Sequence, residues 1–292
     1  MKPFPLYHLY PEAFAALQQP LVEIIVKAAQ PDRIFLLGAS VSHRRSESIF
    51  QPSAPTARHL SHCFVLIMLE DLAGRELHEW QDKIETHCRA LLPVTTMVLH
   101  RARFEEWLTE GHPFAATVQQ QAVVLYDSGT APLPEAAPAP PGAAGQRGEK
   151  QWRAGLEKAE EFLTGSELYR LRKQYTLAAF MLHQSAEQAL RILLDRGTGY
   201  YANTHSIERL LLYASLVSYQ LPDLFPRHTE RDKRLFTLLQ KAYIDTRYKE
   251  YKINEEELVC LTGKVKRIHE IVCTVGNRTF HTPVSDLLKE NF

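Results

Sequence analysis

A chain of 292 residues exceeds the usual single domain of about 100–150 residues, and its 45% hydrophobic and 23% charged content is ordinary for a globular protein, so two domains are expected. Its 34 basic and 34 acidic residues cancel, which excludes a whole-molecule field that gathers nucleic acid. Residues 1–150 hold 13 Lys+Arg against 16 Asp+Glu and the remainder 21 against 18, so a mildly basic second half allows a phosphate ligand without demanding one.

Four scattered cysteines, Cys63, Cys88, Cys260 and Cys273, contain no CxxC and indicate neither a disulfide framework nor a zinc ribbon; a reducing compartment is expected. No apolar run approaches the roughly 20 residues of a membrane span. The start MKPFPLYHLYPEAF lacks the basic opening and apolar core of a signal peptide. Together these predict a cytoplasmic protein with no membrane partner.

In chain order, Pro11 opens a helix that Pro20 is expected to kink or divide. Arg33 to Leu37 reads as a short buried strand stopped by a tight turn at Gly38-Ala39-Ser40. A loop or broken helix fills residues 41–61. A second strand follows at His62 to Leu69, a helix between Arg75 and Leu92, a third strand at Pro93 to His100, a helix at Phe104 to Glu110 and a fourth strand at Ala122 to Tyr126. Alternation of this kind predicts a small α/β layer over residues 1–129. Residues 130–150, with five prolines among alanine and glycine, predict an extended semi-rigid spacer and the domain boundary.

Beyond it, residues 151–292 read as an all-α bundle, so the class is α+β overall. Helices are expected near Trp152 to Leu163, Ser166 to Asp195, Ser206 to Tyr219, Thr229 to Tyr248 and Glu255 to Val275, with Thr204 or Ser206 as the cap of the third. In the long second helix, Leu171, Tyr175, Ala178, Leu182, Ala186, Ala189 and Leu193 share one face. His183, Glu187 and Arg191 step by four along another. Such rows are usually solvated flanks with intrahelical pairs; the alternative is a polar groove.

Three tracts in order, LHQSAEQALRILL, THSIERLL and AYIDTRYKEYK, give the second half a resemblance to the HEPN family, a helical domain of eukaryotes and prokaryotes named in part for nucleotide binding. The first half, through RIFLLGAS, HCFVLIMLE and HPFAATVQQQAVVLYDSG, resembles the nucleotidyltransferase fold that often accompanies it. The resemblance implies a Gly-Ser phosphate turn, here altered to Gly38 and Ser40, and a pair of magnesium-binding carboxylates one residue apart on the next strand. His62 and Phe64 stand there, and phenylalanine cannot hold a metal, so nucleotidyl transfer is expected to be lost.

HEPN ribonucleases carry an arginine followed after four to six residues by a histidine. Arg247 is followed at those offsets by Lys252, Ile253 and Asn254, none an imidazole base. Lys264 precedes His269 by five, a spacing more typical of a surface pair. The remaining nucleotide-binding candidates are Arg247, Tyr248 and Tyr251, with His183, Glu187, Arg191 and His205 beside them; the competing reading pairs Arg247 with Glu187 or Asp245. His59, His62 and Cys63 form an HxxHC cluster with too few ligands to predict a metal. The expectation is a non-catalytic nucleotide- or RNA-binding assembly protein without resident cofactor, taking a nucleotide such as ATP or GTP, with homodimerisation implied through the helical half. The alternatives are a toxin–antitoxin-type RNase or nucleotidyltransferase using Glu70, Asp71 or His205, and a purely structural dimerisation module.

Overall fold

The computed structural model describes residues 11–44, 57–138, 146–248 and 251–281, with some side chains, among them those of His59 and Tyr248, outside the description. The chain divides into two compact units, Met1–Pro140 and Pro141–Phe292. Among the described residues no helix is long and apolar enough to cross a membrane.

The first unit opens with α1 (Pro11–Ala29), β1 (Arg33–Arg44) and β2 (Ala57–Leu69), followed by α2 (Leu77–Cys88) and β3 (Val94–His100). It ends with α3 (Arg101–Thr109), α4 (Pro113–Gln121) and β4 (Val123–Asp127). The sheet order is β3-β2-β1-β4, with β1 antiparallel to β2 and β4, and β2 parallel to β3. Cys63, Val65, Ile67 and Leu69 alternate onto the face covered by Leu21 and Ile25 of α1 and by Trp80 and Ile84 of α2. Residues between them are buried too, and Phe35 meets Phe104 of α3 with ring centres 6.1 Å apart. A sheet covered on both faces accounts for the unbroken apolar run in β2.

Two expectations in this unit are corrected. Pro20 does not divide α1, which runs on from Pro11 to Ala29; Pro20 and Ala16, whose carbonyl loses its helical donor, are both exposed, so water can satisfy the freed group. Gly38-Ala39-Ser40 is not a phosphate turn. Strand β1 runs through it, pairing Gly38, Ala39 and Ser40 with Phe64, Cys63 and His62, and a bulge falls at Leu36/Gly38. The residues that looked like a stop are a strand irregularity.

The proline-rich tract also differs from a free spacer. Its first part lies along the first unit: the Ala131 carbonyl accepts from Arg33 Nη2 at 2.6 Å and Arg101 Nη2 at 3.1 Å, and Gln119 brackets Pro134 and Ala136. Ala137 N–H donates to the Leu108 carbonyl at 2.8 Å. Gly111, at φ +68°, admits this strap, because a Cβ there would meet the Pro138 carbonyl oxygen at 2.5 Å. Gly111→Ala combines a left-handed conformation with that clash, so it is expected to cost the first unit about 2–3 kcal/mol in urea denaturation and to speed amide exchange over residues 131–138. Unchanged exchange there would mean the strap does not pack as described.

The second unit is built from α5 (Gln146–Leu171), α6 (Tyr175–Thr198), α7 (Ile207–Ala214), the short α8 (Gln220–Asp223), α9 (Glu230–Tyr248) and α10 (Glu255–His281). Ala178, Leu182, Ala186, Ala189 and Leu193 of α6 are buried as their spacing predicts. Leu171 is not part of that stripe: it ends α5 and is 72% exposed. The break between the helices falls at residues 172–174, where Lys173 adopts φ 59°, and not at Thr164-Gly165. Gly199, at φ 76°, caps α6 in the left-handed conformation, and Ser206 caps α7 by accepting from Arg209 N–H.

Candidate functional site

The polar row on α6 is buried, not a solvated flank. His183 is 0% exposed, Glu187 1% and Arg191 8%, because the row faces α9 and the segment 199–206 rather than water. A buried carboxylate needs partners, and Glu187 has three. Arg191 Nη1 donates to Oε1 at 2.8 Å, His205 Nδ1 lies 3.1 Å from Oε2, and His183 Nε2 approaches Oε2 to 3.3 Å. The last contact is poorly aligned: His183 Nε2 has no hydrogen bond, whereas its Nδ1 donates to the Leu239 carbonyl at 2.9 Å. Burial pushes the Glu187 carboxyl up, but the His205 contact and the Arg191 charge outweigh it and hold the group below the usual carboxylate range.

Arg191 is fixed at a second point by the Thr204 carbonyl, 2.7 Å from Nη2, and lies 5.8 Å from the centre of the Tyr201 ring, which is 59% exposed. Arg191 Nε is buried without a hydrogen-bond partner, a spare donor in a largely satisfied cluster. His205 is the exposed edge of the cluster. Its ring stacks on Tyr243 with centres 4.2 Å apart and planes 12° from parallel, so the 3.3 Å approach of the Tyr243 hydroxyl to Nε2 is a face contact more than a hydrogen bond.

Arg247, one turn beyond Tyr243 on α9, closes the other side. Its guanidinium carbon lies 4.3 Å from the Tyr243 ring centre and 4.9 Å from that of Phe180. The hub beneath, Glu187, is held by Arg191 and the two histidines and not by Arg247, so the anticipated Arg247–Glu187 pair is replaced by cation–π stacking. The face presents His205, Arg247 and Tyr201 outward; Glu187 holds His205 and Arg191, and the Tyr243 ring lies against both His205 and Arg247.

The sequence candidates therefore separate. His183, Glu187, Arg191, His205 and Arg247 come together; Tyr251 does not join them. Its hydroxyl donates to the Leu238 carbonyl at 2.9 Å, and burial pushes its ionisation far up, so it stays a neutral donor within the bundle. The side chain of Tyr248 lies outside the described residues. Gly38 and Ser40 belong to the first unit, in strand pairing. Tyr243 and Phe180 are site residues that sequence reasoning missed; Tyr243 sits one turn before Arg247 and Phe180 one turn before His183, a spacing that would have found them.

Of the residues that resemble metal ligands, the His59 side chain lies outside the described residues and the others are engaged elsewhere. His62 bonds Thr95 Oγ1 at 2.8 Å, whereas Cys63 points to the opposite face of β2, into the core, where burial pushes its thiol up to about 12. Neighbouring strand residues on opposite faces cannot share an ion. Among the described residues no group of three or more His, Cys, Asp or Glu could hold a metal. Phe64 is core, Glu70 lies 3.7 Å from Arg101, and Asp71 accepts from Ala73 N–H in a turn. His269 is no surface partner of Lys264: it is buried on Ser185, which sits 2.8 Å from its Nε2, and Lys264 donates to the Leu224 carbonyl at 2.5 Å.

No curated protein matches this chain. Among solved structures it is similar to a nucleotidyltransferase-like protein from Exiguobacterium sibiricum 255-15, at 9% identity over 92% of this chain and 77% of that one, with a TM-score of 0.31. An overlap that loose says nothing about chemistry. The HEPN domain model matches residues 152–276, a span that includes the whole Glu187 cluster from Phe180 to Arg247. The helical unit that carries the site is the part of the chain that matches the HEPN domain.

Proposed function

We propose that the protein is a non-catalytic nucleotide- or RNA-binding assembly module, and that the HEPN unit takes its ligand on the face formed by Arg191, Tyr201, His205 and Arg247. The observation that carries this reading is the seating of Arg191 and an exposed imidazole on a single buried carboxylate, with the Tyr243 ring against both that imidazole and Arg247. Guanidinium groups suit phosphate, and a flat exposed ring such as Tyr201 suits a base. Tyr243 itself is not the platform, since His205 and Arg247 both lie against its ring. The absence of an imidazole four to six residues after Arg247, and of carboxylates at positions 62 and 64, supports binding over catalysis. HEPN domains commonly dimerise, and homodimerisation through this unit is part of the proposal.

The test is fluorescence anisotropy with labelled ATP, GTP and a short single-stranded RNA. Arg247→Ala is expected to weaken the preferred ligand at least about tenfold, equivalent to roughly 1.4 kcal/mol. If RNA is preferred, affinity should fall with added salt at a slope of about 0.7 per phosphate contacted. No saturable binding to any of the three, or binding indifferent to Arg247→Ala, would sink the proposal. RNA cleavage abolished by His205→Ala would favour the enzymatic alternative.

A further inference from the structure

The groove that holds the strap on the first unit grips it by its main chain. Arg33 Nη2 and Arg101 Nη2 donate to the Ala131 carbonyl at 2.6 and 3.1 Å, and Gln119 Nε2 donates to the Pro134 carbonyl at 2.7 Å. In the other direction Ala136 N–H donates to Gln119 Oε1 at 2.9 Å and Ala137 N–H to the Leu108 carbonyl at 2.8 Å. Each of these bonds ends on a strap main-chain atom. Ala131, Pro134 and Ala137 are spaced by three, the repeat of a polyproline II helix, so one ridge of such a helix suits the groove. Pro132, Pro134 and Pro138 stand where no amide is needed, and both donors are alanines.

Two observations separate this groove from a permanent seam. No side chain from Ala131 to Pro138 is buried: Ala131, Pro132, Glu135 and Pro138 are exposed and the other four are half-buried, so the strap has no anchor in the core. Its hold therefore rests on main-chain hydrogen bonds, each of small net worth against water, which makes local opening easy. The groove also keeps a donor that the strap leaves unused. Arg33 is 6% exposed, and its Nη1, on the guanidinium that meets the Ala131 carbonyl, is buried without a hydrogen-bond partner among the described residues. The arginine charges themselves are matched, Arg33 by Asp127 and Arg101 by Asp32 and Glu105, so the groove suits neutral carbonyls and not a free anion.

We infer that this groove is a binding site for an extended proline-rich segment of another protein, and that residues 131–138 fill it in cis as a built-in competitor. Such a segment presents two carbonyls three residues apart and two amides following the second, with proline at the remaining positions to lower the entropy lost on binding. Tethering gives the strap a high effective concentration, so an outside segment enters when the strap is loosened. The turn ahead of the strap is pinned, with Ser128 N–H on the Asp32 carbonyl at 2.9 Å and Gly129 N–H on Asp127 Oδ1 at 2.8 Å, which disfavours exchange of straps between two copies of the chain. The site belongs to the first unit and does not depend on the face proposed for nucleotide or RNA, which lies in the second.

The test is fluorescence polarisation with a labelled peptide of residues 130–138, TAPLPEAAP, titrated with the wild-type chain and with a full chain whose residues 131–138 are replaced by glycine and serine. The vacated chain should bind at least about tenfold more tightly than wild type, and adding Gln119→Ala, which removes one donor and one acceptor, should weaken that binding at least about tenfold. A peptide with glycine at its three prolines should bind the vacated chain at least about threefold more weakly. Ala136→Pro deletes only the amide donated to Gln119 and leaves the rest of the strap; it should also bind more tightly than wild type, and it decides the question if the vacated chain does not fold. The inference is overturned if neither loosened chain binds, if wild type binds equally well, or if binding ignores Gln119→Ala or the change of proline to glycine. A wild-type dimer that dissolves in the vacated chain would also overturn it, by assigning the groove to a second copy's strap.

Discussion

Glu187→Ala is expected to destabilise the HEPN unit by about 3–5 kcal/mol, because it removes the one anion from a buried cluster and leaves Arg191 unpaired. The cost is that of an uncompensated buried charge and not of one lost ion pair in water. Glu187→Gln, which keeps the volume but turns an amide towards a cation or a ring nitrogen, should cost less, about 2 kcal/mol. Amide exchange resolved by peptide should show the loss across α6, α7 and α9 and spare the sheet of the first unit. Equal exchange in wild type and Glu187→Ala would mean the carboxylate is not the hub.

The same carboxylate makes a pH prediction of definite sign. The folded protein holds Glu187 below its ordinary value of 4.5, so it binds a proton less readily folded than unfolded. Its contribution to stability is therefore fully present above pH 4.5 and is lost as pH falls from there through the folded value. Urea denaturation of wild type and Glu187→Gln should give curves that draw together as pH falls below 4.5 and stay separated near pH 7. Convergence on the alkaline side instead would reverse the assignment.

The legible parts of this fold share one property: their pattern is repeated. An unbroken apolar run marks β2, and the alanine and leucine stripe from Ala178 to Leu193 marks α6; both are buried, the run on two faces of the sheet and the stripe on one face of its helix. What was not legible depended on single residues overruled by context. Lys173 takes a left-handed conformation usually left to glycine, so nothing in its identity marks the corner after α5. Gly38 carries a turn signal, yet its pairing with Phe64 in a long antiparallel ladder keeps the strand going. His183, Glu187 and Arg191 have the spacing of a surface row, and only the approach of Leu239, Tyr243 and His205 turns them inward. Composition could not reveal that contact, since its partners lie 18 to 60 residues away. The proline-rich tract looked uniform, but its first part is held by Arg33, Arg101 and Gln119, residues that nothing in the tract specifies.

That last arrangement makes Arg101 the second residue whose loss should be severe. Its Nη1 donates to Asp32 Oδ1 at 2.8 Å, its Nε to Glu105 at 2.8 Å, and its Nη2 to the Ala131 carbonyl at 3.1 Å, with Arg101 and Asp32 both buried. Asp32 Oδ2 already has no hydrogen-bond partner, so after Arg101→Ala the carboxylate keeps only the Ser128 hydroxyl at 3.0 Å. The expected loss is about 3–5 kcal/mol from the first unit, with faster amide exchange in β1, β4 and residues 131–138. A reversal control separates buried charge from simple cavity formation. Replacing both partners, Asp32→Leu with Arg101→Met, removes the stranded carboxylate and should recover much of the stability, as exchange of a buried pair for apolar residues is often neutral. If the double variant is as unstable as the sum of its single changes, the loss lies in packing and strap contacts; recovery shows that the clasp contributes mainly by never leaving Asp32 alone.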